Sequence, residues 1–231
     1  MQRTLFLLLA ALTLAACADK PSSTIFISFT ESSPDGEYPV RMLVSEKFLR
    51  IEDGDTQDGF IVFDRAARTI YSVSHSGKTT LVLRARPVSL AMPKQFEHKA
   101  VREKETLPSV DGKSVVHYRL LTNGERCFDV YAADGLLPEA VTALREYHVT
   151  LAGEQAAMQT NMPDGMQSAC DLADQVFVPA RYLEQGFPVR QVNRAGVTRQ
   201  LAGYQRDVPV EKGIFDVPKD YKQMSPAELR K

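Results

Sequence analysis

The sequence lacks an excess of charge of either sign. It contains 28 lysine and arginine residues against 29 aspartate and glutamate residues, and its formal net charge is −1. No run of lysine or arginine is long enough to follow a phosphate backbone. We therefore expect no nucleic-acid partner.

The sequence also lacks the motifs of common catalytic and nucleotide-binding sites. It has no G-x-S-x-G, no P-loop and no G-x-G-x-x-G. The four histidines have no H-x-H or H-x-x-x-H spacing, which argues against a metal site built from them. Asp53, Asp55 and Asp58 superficially resemble a calcium loop, but its glycine and its last glutamate are missing from the required positions. These residues predict a solvated turn, and the chain as a whole predicts no enzyme, no metal and no cofactor.

Long apolar runs are absent except at the N-terminus. Residues 5–14 form an apolar run behind Arg3 that is too short to span a bilayer as a mature helix. The next residues, Leu14-Ala15-Ala16-Cys17, resemble the lipobox of a bacterial lipoprotein signal. That resemblance implies cleavage before Cys17, acylation of Cys17 and attachment to a membrane through the lipid. An ordinary secretory signal, or a short buried helix with a chance cysteine, is the alternative.

The lipoprotein resemblance also implies a location. Ala18 follows Cys17, where an aspartate would favour retention in the inner membrane. We therefore predict a protein of the bacterial cell envelope that faces the periplasm and is anchored in the outer membrane. About 215 residues remain after the signal, enough for one large domain. The predicted division is a signal peptide at 1–16, a lipidated tether at 17–23, a single domain at 24–224 and a tail at 225–231.

Cysteine is scarce. With Cys17 used for the anchor, only Cys127 and Cys170 remain. Two cysteines in an oxidising compartment usually form a disulfide, which here would close a loop of about 44 residues and stabilise the fold by about 4 kcal/mol. Two free buried thiols or a metal site are the alternatives, although the chain has no C-x-x-C motif to support zinc.

Apolar residues alternate with a period of two through much of the chain, which is typical of short antiparallel strands separated by turns. Strands are predicted at residues 24–30, 40–44, 48–52, 60–63, 70–73, 79–83, 115–121, 127–132, 188–193 and 197–204, with a terminal edge strand at Phe215 and Val217. Residues 84–113 hold three prolines and a charged run. They predict a connector or a short helix across the sheet, or else a domain boundary.

Two helices are expected between the later strands. Leu137, Leu144 and His148 recur at helical spacing behind Pro138, which suits a first helical turn, and His148 is predicted to be a core or boundary residue and not a metal ligand. Ser168, with an acidic residue three positions later, begins a second helix as a capping box. Because an open antiparallel sheet needs cover on one face, the predicted class is α+β. Its architecture is a curved antiparallel sheet, or incomplete barrel, with helices covering the concave face.

Four segments carry a resemblance to a known family. They are Arg50-Ile51-Glu52-Asp53-Gly54, Phe60-Ile61-Val62-Phe63-Asp64, Thr69-Ile70-Tyr71-Ser72-Val73 and Phe215-Asp216-Val217-Pro218-Lys219-Asp220-Tyr221. These segments resemble the LolA-like superfamily, and in particular a periplasmic branch of it known as a domain of unknown function. The resemblance implies a half-barrel with a helical lid over an apolar concavity. In LolA and LolB that concavity receives the acyl chains of lipoproteins.

The predicted function is therefore non-catalytic binding of an apolar, acyl-chain-like ligand in the half-barrel cavity. The candidate lining residues are strand residues whose inward set is undetermined, namely Phe60, Val62, Tyr71, Val73, Tyr118 and Leu120. An envelope scaffold with a filled core and no small ligand is the first alternative, and an unrecognised hydrolase is the second. The expected partners are the membrane, through the lipid on Cys17, and an acyl chain, while the sequence names no protein partner.

Overall fold

The computed structural model describes residues 23–54, 58–160 and 167–229. These residues form one twelve-stranded sheet with a few helices. The strands are β1 (Ile25–Ser33), β2 (Gly36–Val44), β3 (Phe48–Asp53), β4 (Gly59–Asp64), β5 (Thr69–Ser74), β6 (Thr79–Arg84), β7 (His98–Arg102), β8 (Val115–Thr122), β9 (Glu125–Ala133), β10 (Phe187–Asn193), β11 (Thr198–Gln205) and β12 (Lys222–Met224). The predicted signal peptide and Cys17 lie outside the described residues.

The sheet consists of two antiparallel meanders joined in the middle. Its order is β12-β6-β5-β4-β3-β2-β1-β11-β10-β9-β8-β7, so β1 pairs with β2 on one side and with β11 on the other. Every neighbouring pair is antiparallel except β12 with β6. The sheet stays open, with β7 and β12 at its edges. The predicted α+β class with a curved, non-closed sheet is confirmed.

The long helix α1 (Pro138–Gln159) covers one face of this sheet. It begins with Pro138 in its first turn, as the sequence predicts, and packs against β2, β3, β5, β6 and β10. Its buried face contains small residues such as Ala140 and Ala143, both with no exposed surface, so the helix lies close to the strands. At Gly153 a Cβ would lie 2.2 Å from the carbonyl oxygen of Arg86, which explains a glycine inside a helix.

The second helix is short and is held to the sheet by a disulfide. In α2 (Ala169–Leu172) the Ser168 hydroxyl accepts a hydrogen bond from the Asp171 N–H, the cap that the sequence predicts. A π-helical turn (Ala173–Phe177) and a 3₁₀ turn (Arg181–Leu183) follow. Cys127 of β9 and Cys170 of α2 form a disulfide with their Cα atoms 5.2 Å apart. The predicted disulfide is therefore present.

Two predictions need correction. Residues 84–113 connect β6 to β8, as one of the predicted alternatives has it, but they form no helix and no domain boundary, and they contain β7, which pairs with β8 at the edge of the same sheet. All five residues of β7 are exposed, and a strand without a buried face leaves no alternating apolar pattern. Phe215 and Val217 are not in a strand; Phe215 stacks on Phe48 at 5.4 Å between ring centroids, and the terminal strand is β12. A last short helix, α3, covers Pro226–Leu229.

Candidate functional site

An apolar groove opens where β10 and β11 separate. Their ladder contains only three residue pairs, from Arg190 with Gln200 to Val192 with Thr198. Beyond Arg190 and Gln200 both strands continue, but each pairs only with its other neighbour, β9 or β1. Register shifts at this point in both of those ladders turn the two strands apart. The sheet therefore has a local opening within its second meander.

The groove has a volume of about 440 Å³, within the range of small-molecule sites. Its walls come from β8, β9, β10 and β11 and from the segment before β8. The lining residues are Leu107, Pro108, Val110, Val115, Tyr131, Val189, Arg190, Gln200, Leu201, Ala202, Gly203 and Tyr204. Most of them are apolar, and Arg190 is the one charged residue among these described lining residues. The site can therefore hold an apolar chain and contact one anion.

Residues 103–113, which we call the flap, form the outer wall of the groove. The flap is fixed at both ends by polar contacts: Arg119 donates to Glu103 over 2.6 Å, and the Tyr204 hydroxyl donates to Asp111 over 2.6 Å. A further contact joins Glu105 to His117. Leu107 and Val110 between these contacts pack with the main core. The polar ends thus hold an apolar middle against the strands.

A second, polar pocket continues from the groove. Its lining shares Arg190, Gln200, Leu201 and Ala202 with the groove and adds Thr30, Ser32, Glu37 and Thr198, around a volume of about 410 Å³. We call it the polar extension. An apolar compartment therefore leads directly into a hydroxyl-lined one, and Arg190 lies at the junction.

A different pocket lies between the sheet and the helical turns after α2. This lid pocket has a volume of about 250 Å³ and is lined by Glu31, Phe128, His148, Asp174, Pro179, Tyr182, Gln191, Asn193, Val197 and Arg199. Its charged groups pair with one another or with nearby side chains: Arg199 contacts Glu31 at 2.6 Å and Arg181 contacts Asp174 at 2.6 Å. The pocket beneath the helices is thus polar, whereas the sequence predicted an apolar one there.

Burial shifts the pKa values of titratable side chains in the lid pocket. Burial, with a smaller effect of the Arg199 charge, lowers the pKa of His148 to about 4, so this side chain is neutral at pH 7. Burial also raises the pKa of Tyr182, whose hydroxyl lies 2.7 Å from His148 Nε2. Burial opposes ionisation of Glu31, but the Tyr38 hydrogen bond and Arg199 outweigh it and lower the pKa of Glu31. The charged side chains of the pocket are thus paired within the protein.

Four of the six predicted lining residues lie together, away from the groove. Phe60, Val62 and Val73 are buried in a cluster with Phe48, Val217 and Tyr221. Tyr71 pairs with Val62 across β4 and β5 and is half-buried. The C-terminal segment covers this cluster with the chain's own side chains.

The other two predicted lining residues lie on β8. Leu120 is buried with Val130 and Ala132, and the half-buried Tyr118 packs against them. None of the six candidates is among the described lining residues of the groove. The groove residues that the sequence prediction missed come largely from the flap and β11. Leu107 and Val110, the apolar residues of an otherwise polar flap, were the one available signal.

Within residues 23–54, 58–160 and 167–229, no group of three or more His, Cys, Asp or Glu residues is arranged to hold a metal ion. In the same described ranges, no helix is long and apolar enough to cross a membrane.

Comparison with known proteins gives distant structural neighbours. No family model and no curated protein matches the sequence. PNGF-II in its C2 crystal form aligns over 90% of this chain at 9% identity and a TM-score of 0.46, and this chain spans about a third (32%) of its length. The LolA superfamily protein NE2245 from Nitrosomonas europaea aligns over 85% of this chain and 90% of its own, at 10% identity and a TM-score of 0.30.

A domain from Vibrio parahaemolyticus described as an outer membrane lipoprotein-sorting protein aligns over 84% of this chain and 89% of its own, at 9% identity and a TM-score of 0.24. The structural neighbours thus include LolA-superfamily proteins, at low similarity.

Proposed function

We propose that this protein is a non-catalytic envelope protein that binds a single apolar, acyl-like chain in the groove between the flap and β9–β11. The observation that carries the proposal is the apolar lining of a 440 Å³ opening in an otherwise continuous sheet. Val115, Val189 and Leu107 are among its apolar lining residues. An apolar chain that covers this surface removes it from water, which favours binding.

The free energy of burying methylenes in the groove sets the length of chain that it can bind. Each methylene removed from water contributes about 0.8 kcal/mol, so about ten methylenes contribute about 8 kcal/mol. Association costs at least about 4 kcal/mol in lost freedom. About ten buried methylenes therefore leave at most about 4 kcal/mol, which corresponds to a Kd of about 1 mM, and each further buried methylene tightens binding about four-fold.

The test is a titration of residues 18–231 with a fluorescent fatty acid. This range contains every described strand and helix. Gly203→Phe should weaken binding at least about ten-fold, because Gly203 lines the groove and a Cβ there meets no heavy atom within 4 Å. The new ring therefore enters open space and leaves the fold intact.

Ala66→Phe, at an exposed position in the turn between β4 and β5, is the matched control. Wild-type affinity of Gly203→Phe, or no binding by the wild type, would contradict the proposal.

The membrane anchor is a separate part of the proposal. Cys17 is expected to carry acyl chains that hold the protein at the outer membrane, since durable tethering requires more than one chain. Metabolic labelling with a palmitate analogue tests it: the wild type should take up label, and Cys17→Ser should not. Label on the Cys17→Ser chain would exclude this anchor while leaving the groove proposal untouched.

A scaffold without a small ligand is the second candidate, favoured by the packing beneath α1. Leu137 and Ala140 of the helix segment and Phe187 of β10 have no exposed surface, so the chain's own side chains fill this space. If the groove is equally inert, no fatty acid should bind and none should copurify. Native mass spectrometry of residues 18–231 distinguishes the two candidates.

A further inference from the structure

We infer that the groove selects an amphiphile with an anionic headgroup, and that Arg190 at the junction with the polar extension recognises the anion. The inference rests on the proposed function, because it concerns the head of the chain that the groove would bind. The apolar part of such a ligand would lie along Val189 and Leu201. Its head would then reach the junction, where the lining changes from apolar to polar.

Arg190 is placed to bind an anion. It is exposed, and its guanidinium carbon lies 5.4 Å from the centroid of the Tyr131 ring, which restrains the side chain beside the groove. Among the described residues no carboxylate forms an ion pair with Arg190, unlike Arg194 and Arg199, which pair with Glu125 and Glu31. A guanidinium can donate two parallel hydrogen bonds to a carboxylate or phosphate.

The two acidic groups nearest to the compartments, Glu37 and Asp111, form no ion pair with Arg190 in the part of the chain that the structure describes. Glu37 lines the polar extension from β2, which is three strands from β10, or roughly 14 Å at 4.8 Å per strand. Asp111 accepts the Tyr204 hydroxyl on the flap side. Thr30, Gln200 and Thr198 supply neutral donors around the junction. The local balance therefore favours a negative headgroup.

The experiment compares two ligands with the same chain, dodecanoate and its neutral glycerol monoester, by calorimetry with residues 18–231 at pH 7.5. The wild type should bind dodecanoate about ten-fold more tightly than the ester, the gain typical of one charge-assisted contact. Arg190→Gln should remove this preference by weakening the binding of dodecanoate. Arg194→Gln, an exposed arginine of the β10–β11 turn outside the groove lining, should keep it.

The outcomes separate the two proposals. If neither ligand binds, the proposed function itself is wrong. If both bind with equal affinity, or if Arg190→Gln keeps the preference, the protein binds apolar chains but Arg190 does not recognise the anionic headgroup. A preference that is lost in Arg190→Gln, kept in Arg194→Gln and reduced by added salt supports the inference.

Discussion

The groove and the lid pocket are two openings on one sheet with opposite chemistry. The lid pocket contains Glu31, Asp174 and Arg199, and each of these charges has a partner within 2.6 Å. The groove is lined by aliphatic and aromatic side chains, and its one charged lining residue, Arg190, has no ion-pair partner among the described residues. Paired polar groups stabilise a fold, whereas an open apolar wall beside a free cation provides a place for a ligand.

The difference has a cause in the sequence. Beneath α1, small residues such as Ala143 let the helix approach the strands, and apolar side chains such as Phe63 and Leu83 fill the space between them. The lid pocket beside this core is lined mainly by polar side chains that bond within the protein. At the groove, register shifts near Pro188 and Phe29 separate the strands, and only the flap covers the opening. Close packing thus removes space on one side, and strand irregularity creates it on the other.

The disulfide should have the largest effect on stability and none on the groove. Cys127→Ser together with Cys170→Ser should lower the free energy of unfolding by about 4 kcal/mol, because the bridge restrains about 44 residues of the unfolded chain. Denaturant melts with and without reductant measure this loss. Fatty-acid affinity should stay unchanged while the chain is folded, since neither cysteine lines the groove. A parallel loss of affinity would show that the two sites are coupled.

Phe60 should matter for stability rather than for ligand binding. It is 8% exposed, and the guanidinium carbon of Arg50 lies 3.6 Å from its ring centroid. Phe60→Ala should cost about 3 kcal/mol of unfolding free energy through the cavity it leaves. Chain binding by the folded variant should equal that of the wild type. Loss of binding at unchanged stability would indicate that the ligand contacts the residues that the sequence predicted as the lining.

His148 should make the lid pocket sensitive to acid. Its folded pKa, about 4, is below the ordinary value of 6.5, so the unfolded chain binds the proton more readily and stability falls as the pH drops through this window. Between pH 6.5 and 5 the loss should be about 1.5 kcal/mol.

His148→Gln should flatten this dependence, as measured by urea melts at each pH. Val149→Gln, at the exposed neighbouring position on α1, should keep it. If the free energy of unfolding depends on pH equally in both variants, a group other than His148 causes the dependence.

Tyr204 should have the smallest effect, and it should be confined to the groove. Its hydroxyl fixes the flap through Asp111 at 2.6 Å. Tyr204→Phe keeps the ring in the lining but removes one of the contacts that hold the flap, so the Kd for a fatty acid should rise about two- to five-fold, the size expected for one exposed hydrogen bond. Faster hydrogen exchange in the flap should accompany the change. Unchanged exchange would mean that Asp111 does not hold the flap.

The sequence predicted the elements with a buried face far better than the site. Strands such as β4 and the long helix α1 follow clear periodicities, and Ser168 marks a helix start through its own side chain. β7 was missed because all of its residues are exposed. The alternation of Phe60 and Val62 marked one face of β4 but left open which face turns inward. That face is covered by the C-terminal segment, whereas Ile61 and Phe63 on the other face pack into the main core with α1.

The groove was missed for a different reason. It depends on two strand irregularities and on a flap that lies about 90 residues before β11 in the sequence. Neither the irregularities nor the distant flap produces a periodic pattern in the sequence around β10 and β11. Arg190 likewise looks like any exposed strand arginine until Tyr131 and the split strands are placed beside it.

The most direct test of the account is photo-crosslinking of residues 18–231 with a fatty acid that carries a diazirine near the end of its chain, followed by peptide mapping. Labels are expected on the flap around Leu107 and on β11 around Leu201, and they should be lost in Gly203→Phe. Labels on β4 and β5 around Val62, or in the lid pocket around Tyr182, would contradict it.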